Sequence, residues 1–498
     1  MEIGDTSLRR AQGPAADAGA AGRRVIPIEP TTEEVALYEI RKTIHPRAVH
    51  GWFARWRWTL VFATQIVFYG LPWLAMNGRQ AVLFDLGTRK FYLFGAVFWP
   101  QDVIYLAVLL IVSALSLFLF TAIAGRLWCG YACPQTVYTE IFMQVERWIE
   151  GDRTARMKLD AAPASARKVG LKAAKHSTWI ALSLWTGFTF VGYFTPIRDL
   201  GVRVITWDLG SWESFWILFY ALATYGNAGW LREQVCKYMC PYARFQSVMF
   251  DRDTLVITYD SARGEPRGGR SRAIDPRAKG LGDCVDCNIC VQVCPTGIDI
   301  RKGLQYECIG CAACIDGCNQ VMDRMGYPRG LIRYTTENAL AAGEGAGAAA
   351  MWKRVLRPRT AVYGAVLLVI IAVAIGSLAV RNPLKVDIIR DRGALAREAA
   401  PGRIENVYRV QLMNTDEAPR RYALRASGLP GLEIAGVEQP VDVGAASTRL
   451  VALRLQAPIE HADGRTVAPG AHKIELTVEA VDDEKVVRHE QSTFIVPR

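Results

Sequence analysis

Five long apolar runs divide the first three quarters of the chain. They predict transmembrane helices at 58–76, 103–124, 178–197, 214–230 and 361–380. Each run reaches roughly the 17–25 residues that a helix needs to cross a hydrocarbon core of about 30 Å. The run at 361–380 contains no charged residue. The pattern therefore predicts a multidomain membrane protein built on an α-helical bundle of five spans.

Beyond the last apolar run the pattern changes to alternation. Apolar and polar residues alternate in five short segments, at 407–414, 421–427, 449–456, 472–481 and 492–497. Such alternation between turn residues predicts short antiparallel strands. The 96 residues from 403 to 498 are close to the ≈ 100 of an immunoglobulin-like sandwich, although the Cys pair and the Trp of antibody domains are missing. We therefore expect an all-β immunoglobulin-like sandwich within 381–498.

Basic residues are distributed unevenly between the predicted loops. Lys and Arg together number nine in 1–57, nine in 125–177, three in 77–101 and two in 198–213. Because basic loops stay in the cytoplasm, the N-terminus and the loop at 125–177 are predicted to be cytoplasmic. Five spans then place 231–360 in the cytoplasm and 381–498 outside. The net charge of +11 is explained by this distribution, and no nucleic-acid partner is indicated.

All twelve cysteines lie between residues 129 and 318, and eight of them form two C-x2-C-x2-C-x3-C runs. This spacing is typical of bacterial proteins with two [4Fe–4S] clusters, in which the fourth cysteine of each run binds the other cluster. Zinc sites use separated pairs, so zinc or a disulfide framework fits less well. The predicted ligand sets are Cys284, Cys287, Cys290 and Cys318 for one cluster, and Cys308, Cys311, Cys314 and Cys294 for the other.

The other four cysteines form two C-x-Y-x-C-P motifs, Cys129–Pro134 and Cys236–Pro241. Each motif follows a pair of predicted spans, so residues 58–134 and 178–241 form a weak internal repeat. A helical i,i+4 pair would place both sulfurs on one face, and two packed halves would bring four thiols together. Three roles are open besides simple packing: a soft-metal site that favours Cu(I), a dithiol redox pair, or extra ligands to an iron centre.

Taken together, these features predict five segments. They are a basic cytoplasmic segment (1–57), a four-span membrane domain (58–250), a cytoplasmic ferredoxin-like domain (251–338), a linker with the fifth helix (339–380) and a periplasmic sandwich (381–498). Walker, dinucleotide-binding and CxxCH motifs do not occur in the sequence, so nucleotide, flavin and c-type haem cofactors are not indicated.

The order of these features, with GLIRYTTENAL at Gly330–Leu340 before the fifth span, resembles the CcoG/FixG/RdxA family of cytochrome oxidase accessory proteins. The membrane half is also similar to NapH/NosR-type electron-transfer proteins. The resemblance implies a cupric reductase that supplies Cu(I) during assembly of cbb(3)-type cytochrome c oxidase in the bacterial inner membrane. It implies cluster ligation by the eight cysteines of the two runs, and copper handling by Cys129, Cys133, Cys236 and Cys240.

The partners implied by the resemblance are membrane lipid, copper ions, a cytoplasmic electron donor, a copper chaperone or transporter and oxidase assembly factors. The sequence does not decide between a monomer and a homodimer. Two other functions stay open: a quinol-linked electron-transfer subunit whose paired motifs flank a quinone pocket, and a non-enzymatic assembly scaffold or redox sensor.

Overall fold

The computed structural model describes residues 43–275, 277–343, 357–391, 396–400, 402–459 and 467–497. Most of the predicted basic segment, up to residue 42, lies outside the described residues, as does the linker at 344–356.

Helices of the membrane domain follow the predicted apolar runs. A short β-hairpin region between the first two helices contains β1 (Ala75–Met76), β2 (Arg79–Gln80), β3 (Val82–Asp85), β4 (Lys90–Leu93) and β5 (Ala96–Phe98). The helices are α1 (Trp52–Gly70), α2 (Val103–Ala124), α3 (Leu127–Tyr131), α4 (Pro134–Glu150), α5 (Arg153–Ala161), α6 (Ala166–Val191), α7 (Ile197–Ile205), α8 (Ser211–Thr224) and α9 (Pro241–Met249). A π-helical turn at Tyr225–Leu231 extends α8.

Two helical stretches among the described residues are long and apolar enough to cross a membrane, Pro100–Ala124 and Pro358–Ala379. They correspond to the second and fifth predicted spans. The first predicted span is helical only to Gly70, because Pro72 starts a tighter turn there. The helix of the third span begins in a basic stretch at Ala166 and ends at Val191. The five-span bundle therefore stays a prediction.

The ferredoxin-like segment is a small two-stranded sheet covered by short helices. Strand β6 (Val256–Tyr259) pairs antiparallel with β7 (Ile332–Thr335), although 72 residues separate the two strands. Buried apolar side chains, including Ile257 and Met322, fill the space between the sheet and the helices. The helices are α10 (Ser261–Gly264), α11 (Ile289–Gln292), α12 (Ala313–Met325) and α13 (Glu337–Ala341). The next helix along the chain, α14 (Pro358–Ala379), packs against α2.

The C-terminal segment is a two-sheet sandwich, which confirms the predicted architecture. Its sheets have the strand orders β12-β14-β10-β8, with β9 also paired to β10, and β13-β11-β15-β16. Alternate residues of β10, such as Tyr408, Val410 and Leu412, are fully buried between the sheets. The strands are β8 (Leu384–Arg390), β9 (Arg397–Ala400), β10 (Arg403–Asn414), β11 (Arg420–Ser427), β12 (Glu433–Ala435), β13 (Val441–Val443), β14 (Thr448–Pro458), β15 (Gly470–Ala480) and β16 (Asp483–Val496).

Candidate functional site

Both four-cysteine runs fold into the same loop. In each, the residues just before and just after the second cysteine have left-handed backbone conformations. These are Asp286 and Asn288 in the first run, with φ of 51° and 55°, and Gly310 and Ala312 in the second, with φ of 70° and 59°. Non-glycine residues in this conformation are strained, and such strain is concentrated at functional sites. The two runs therefore share the same backbone conformation around their second cysteine.

The eight cysteines of the two runs line two small cavities. Helix α12 contributes one cysteine to each cavity, and Cys290 borders both. The first cavity is lined by Cys284, Cys287, Cys290 and Cys318, and the second by Cys294, Cys308, Cys311 and Cys314. The structure thus brings together the two crossed sets that the spacing predicts, while ligation itself stays a prediction.

The arrangement of these thiols fits a multi-atom group better than a single ion. Within the part of the chain that the structure describes, no three His, Cys, Asp or Glu side chains are placed to hold one metal ion. A structural zinc site would need four ligands at about 2.0–2.3 Å from one ion. Four sulfurs spread around a cavity instead suit a [4Fe–4S] cluster, whose irons lie at separate corners.

Burial favours the neutral thiol at Cys308, Cys314 and Cys318. It raises the pKa of Cys308 and of Cys318 to about 12, and raises the pKa of Cys314 well above its usual value. Because iron binds the thiolate, cluster assembly must release protons from these buried groups. Backbone N–H groups of Gly310 and Ile332 donate to the sulfurs of Cys308 and Cys318, as is common around iron–sulfur clusters.

The two cavities differ in their exposure to solvent. Cys287 of the first cavity is exposed, whereas Cys311 and Cys314 of the second are buried. Arg301 lines the first cavity, and its guanidinium donates hydrogen bonds to Asp286 and Asn288 at 2.6 Å each. The first cavity therefore faces solvent, and the second lies deeper.

The second cavity is in direct contact with the first C-x-Y-x-C-P motif. The backbone of Gly130 packs so closely that an added Cβ would lie 2.8 Å from the Cα of Cys311. Arg126, which is 5% exposed, donates hydrogen bonds to the carbonyl oxygens of Cys308 at 3.3 Å and Ala243 at 2.7 Å. A further small cavity is lined by both Cys236 and Cys311. The deep cavity is thus connected to both motifs.

The prediction that the two cysteines of each motif lie on one helix face is wrong. Cys129 lies in α3 and Cys236 in a π-helical turn, Val235–Met239, but both helical segments end before the second cysteine. Cys133 and Cys240 are extended, with ψ of 129° and 108°. The cause is the following proline, which disfavours the α conformation in the residue before it. Each second cysteine instead begins the next helix.

The four thiols of the two motifs nevertheless come together. All four are half-buried, and each interacts electrostatically with the other three. Burial raises the pKa of Cys129 to about 11 and that of Cys236 to about 12. We call Cys129, Cys133, Cys236 and Cys240 the four-cysteine site. Copper binding there stays a prediction, since no three of these thiols are placed to hold a single ion.

Sequence reasoning missed how the ferredoxin-like segment is fixed to the membrane domain. Asp316 of α12 accepts hydrogen bonds from the backbone N–H groups of Phe53 at 3.4 Å and Ala54 at 2.7 Å. It therefore caps α1, whose first N–H groups have no partner within the helix. Nothing in the cysteine spacing could reveal a bond between residues 262 positions apart.

Replacing Asp316 by alanine should loosen this attachment. A lost N-cap typically costs about 0.5–2 kcal/mol, so the apparent Tm of the purified protein should fall. Asp323→Ala is the matched control, because Asp323 lies on the same helix and its partner Arg329 is exposed. Thermal unfolding of both variants checks this expectation, and equal melting temperatures would show that the cap does not stabilise the fold.

Three family models match this chain. A model described as "4Fe-4S dicluster domain" matches residues 231–337, and a "4Fe-4S binding domain" matches residues 106–153. A third, described as an IG-like fold at the C-terminus of FixG, matches residues 374–497. The chain is therefore an iron–sulfur redox protein with a C-terminal immunoglobulin-like domain.

Known relatives cover most of the chain. "Nitrogen fixation protein FixG" of Rhizobium meliloti is 39% identical over 431 residues, covering 80% of this chain and 82% of the relative. "Protein RdxA" of Cereibacter sphaeroides is 40% identical over 437 residues, covering 85% and 91%. "Protein RdxB" of the same organism is 38% identical over 420 residues, covering 83% and 88%. At this identity and coverage, the chain belongs to the FixG/RdxA family, as its motif order predicted.

Proposed function

We propose that this protein is a membrane-bound oxidoreductase that reduces Cu(II) to Cu(I) for assembly of a cbb(3)-type cytochrome c oxidase. The observation that carries the proposal is a continuous arrangement of thiols. It runs from exposed Cys287, through the deep cavity at Cys311, to the four-cysteine site beyond Gly130. When bound, [4Fe–4S] clusters supply one-electron transfer at the first two of these positions.

The exposed side of the first cavity is where a donor would dock. Only Cys287 among the eight run cysteines is exposed, so a soluble partner can approach this edge. A cytoplasmic electron donor would give up one electron for each copper ion. The reaction is balanced as Cu(II) plus one electron giving Cu(I), with no bond to carbon or oxygen made or broken.

The four-cysteine site supports copper as the electron acceptor. Thiol sulfur is a soft ligand that prefers Cu(I) over harder ions. The site is next to the deep cavity, because Cys129 and Cys236 both pack against the hydrophobic core that contains Cys311. An electron that reaches the deep cavity is therefore close to the thiols that the sequence predicts to handle copper.

The proposal includes the predicted membrane arrangement. Five spans would hold the clusters in the cytoplasm and the sandwich of residues 381–498 in the periplasm of a bacterial inner membrane. Copper leaving as Cu(I) would pass to a chaperone or transporter, and the sandwich offers a surface for such an assembly partner outside.

One observation favours a quinol-linked function, although the cavity concerned is not flanked by the paired motifs as the sequence predicted. An aromatic cavity lies between α6 and α8, and Glu213 and Asp85 are its acidic lining residues. Aromatic walls with a few polar groups are typical of sites for small organic ligands. The aromatic residues that line this cavity are Phe190, Phe194, Trp212, Trp216 and Tyr220.

A comparison of oxidants distinguishes these functions. The full-length protein, reduced anaerobically and freed of reductant, should be reoxidised by Cu(II) with formation of Cu(I), and only slowly by a water-soluble quinone. Cys314→Ala, which removes a thiol of the deep cavity, should abolish most Cu(I) formation. Reoxidation by quinone alone would establish the quinol-linked function, and reoxidation by neither would favour a scaffold or sensor.

A further inference from the structure

The four-cysteine site resembles the two cluster cavities in how its sulfurs are placed. All six pairs among Cys129, Cys133, Cys236 and Cys240 interact electrostatically, so the sulfurs form one compact set. None of the four is in a disulfide. Two cysteines come from each half of the repeat, and each pair ends where a proline starts the next helix.

The four sulfurs are not placed to share a single ion. Among the residues that the structure describes, no three potential ligands are placed to share one metal ion, either here or in the two cluster cavities. A Cu(I) or zinc ion would require the thiols to close further on one point. A cluster with several irons requires no such closure, because each cysteine binds a different corner.

The surroundings of the site suit an anionic cluster. Backbone N–H groups of Gln135 and Thr136 at the start of α4 donate to the sulfur of Cys133. The guanidinium of buried Arg126 lies close enough to interact with both Cys129 and Cys236. Hydrogen bonds to sulfur and a nearby positive charge are the usual means by which proteins hold iron–sulfur clusters and set their potentials.

The family match supplies an independent observation. The segment 106–153 matches a "4Fe-4S binding domain", yet it contains only Cys129 and Cys133. Two cysteines cannot complete the four-cysteine ligand set of such a cluster. The structure supplies the missing pair, since Cys236 interacts with both of them across the repeat.

We propose that Cys129, Cys133, Cys236 and Cys240 together bind a third [4Fe–4S] cluster. This assigns to them the third of the roles that the sequence left open, ligands to an iron centre, in place of direct copper binding. In the proposed function, Cu(II) would then take its electron from this cluster and would not be bound by these four thiols. The cluster would lie beside the deep cavity, where Gly130 contacts Cys311. The twelve cysteines of the chain would then form three complete ligand sets. The inference does not depend on copper being the final acceptor.

Iron and acid-labile sulfide per chain test the proposal directly. The full-length protein, purified anaerobically and reconstituted with iron and sulfide, should contain about twelve of each. Cys129→Ala and Cys236→Ala, one from each motif, should each contain about eight and should lose the same component of the EPR spectrum of the reduced protein. Met239→Leu is the matched control within the second motif, because this side chain is exposed and is not a thiol.

The retained eight irons show that a variant has folded, since the other two clusters need an intact ferredoxin-like segment. A wild-type content of about eight after reconstitution, unchanged in both alanine variants, would overturn the third cluster whether or not the protein reduces copper. Conversely, loss of four irons in both alanine variants, together with no Cu(II) reduction by the wild-type protein, would leave the third cluster standing and contradict the proposed function.

Discussion

Replacing Cys294 by alanine should remove the cluster of the second run, although Cys294 belongs to the first run by sequence. The structure places Cys294 on the wall of the deep cavity with Cys308, Cys311 and Cys314. A cubane that loses one of its four cysteine ligands keeps only three protein ligands and is less firmly bound. We therefore expect a loss of about four irons per chain, with the solvent-facing cluster retained.

Paired variants identify which cluster is lost. The EPR spectrum of reduced Cys294→Ala should match that of Cys308→Ala, and the spectrum of Cys318→Ala should match that of Cys284→Ala. The two cysteines of each pair line the same cavity but belong to different runs in the sequence. If Cys294→Ala instead matched Cys284→Ala, each run would hold its own cluster and the crossed arrangement would be wrong.

Replacing Gly130 by alanine should slow Cu(II) reduction without removing the clusters of the ferredoxin-like segment. The added Cβ would lie 2.8 Å from the backbone of Cys311, a contact that backbone atoms cannot relieve by a side-chain rotation. Overpacking of this kind typically costs about 1–3 kcal/mol. Such a cost lowers the equilibrium constant for the contact between the two segments by about 5–150-fold. Copper reduction should therefore slow by about tenfold or more.

Gly226→Ala is the matched control for this variant. Gly226 lies in the π-helical turn after α8, and an added Cβ there would meet no atom within 4 Å. Stopped-flow reoxidation by Cu(II) should therefore be fast in Gly226→Ala and slow in Gly130→Ala, at equal iron content. Equal rates would show that electrons do not leave through the Gly130–Cys311 contact.

The cluster sites could be predicted from the sequence because they depend on the spacing of cysteines that are close together along the chain. The spacing of the two runs determines which cysteines can share a cavity, and the structure groups them as that spacing predicts. The repeated motif likewise predicted that Cys129 and Cys236 would approach each other. The sandwich was predicted from the alternation of apolar and polar residues along its longer strands. Short strands such as β12 and β13 contain too few residues for this alternation to be recognised.

Contacts between segments that are far apart along the chain could not be predicted from the sequence. The cap that Asp316 provides for α1 and the approach of Gly130 to Cys311 depend on how two domains pack. The position at which the helix ends in each motif was a different error, since Pro134 and Pro241 are visible in the sequence and only the conformation of the preceding cysteine was misjudged. The i,i+4 spacing suggested one helix, but the restriction that proline imposes on the preceding residue decided the conformation.

A single-turnover reduction of copper tests the central claim most directly. The protein is reduced anaerobically, separated from the reductant, and mixed with excess Cu(II) and a chelator specific for Cu(I). We expect at least about two Cu(I) ions per chain, one electron from each cluster of the ferredoxin-like segment, formed as the cluster absorbance returns to that of the oxidised protein. A return of the oxidised absorbance without Cu(I), or clusters that stay reduced in the presence of Cu(II), would contradict the account.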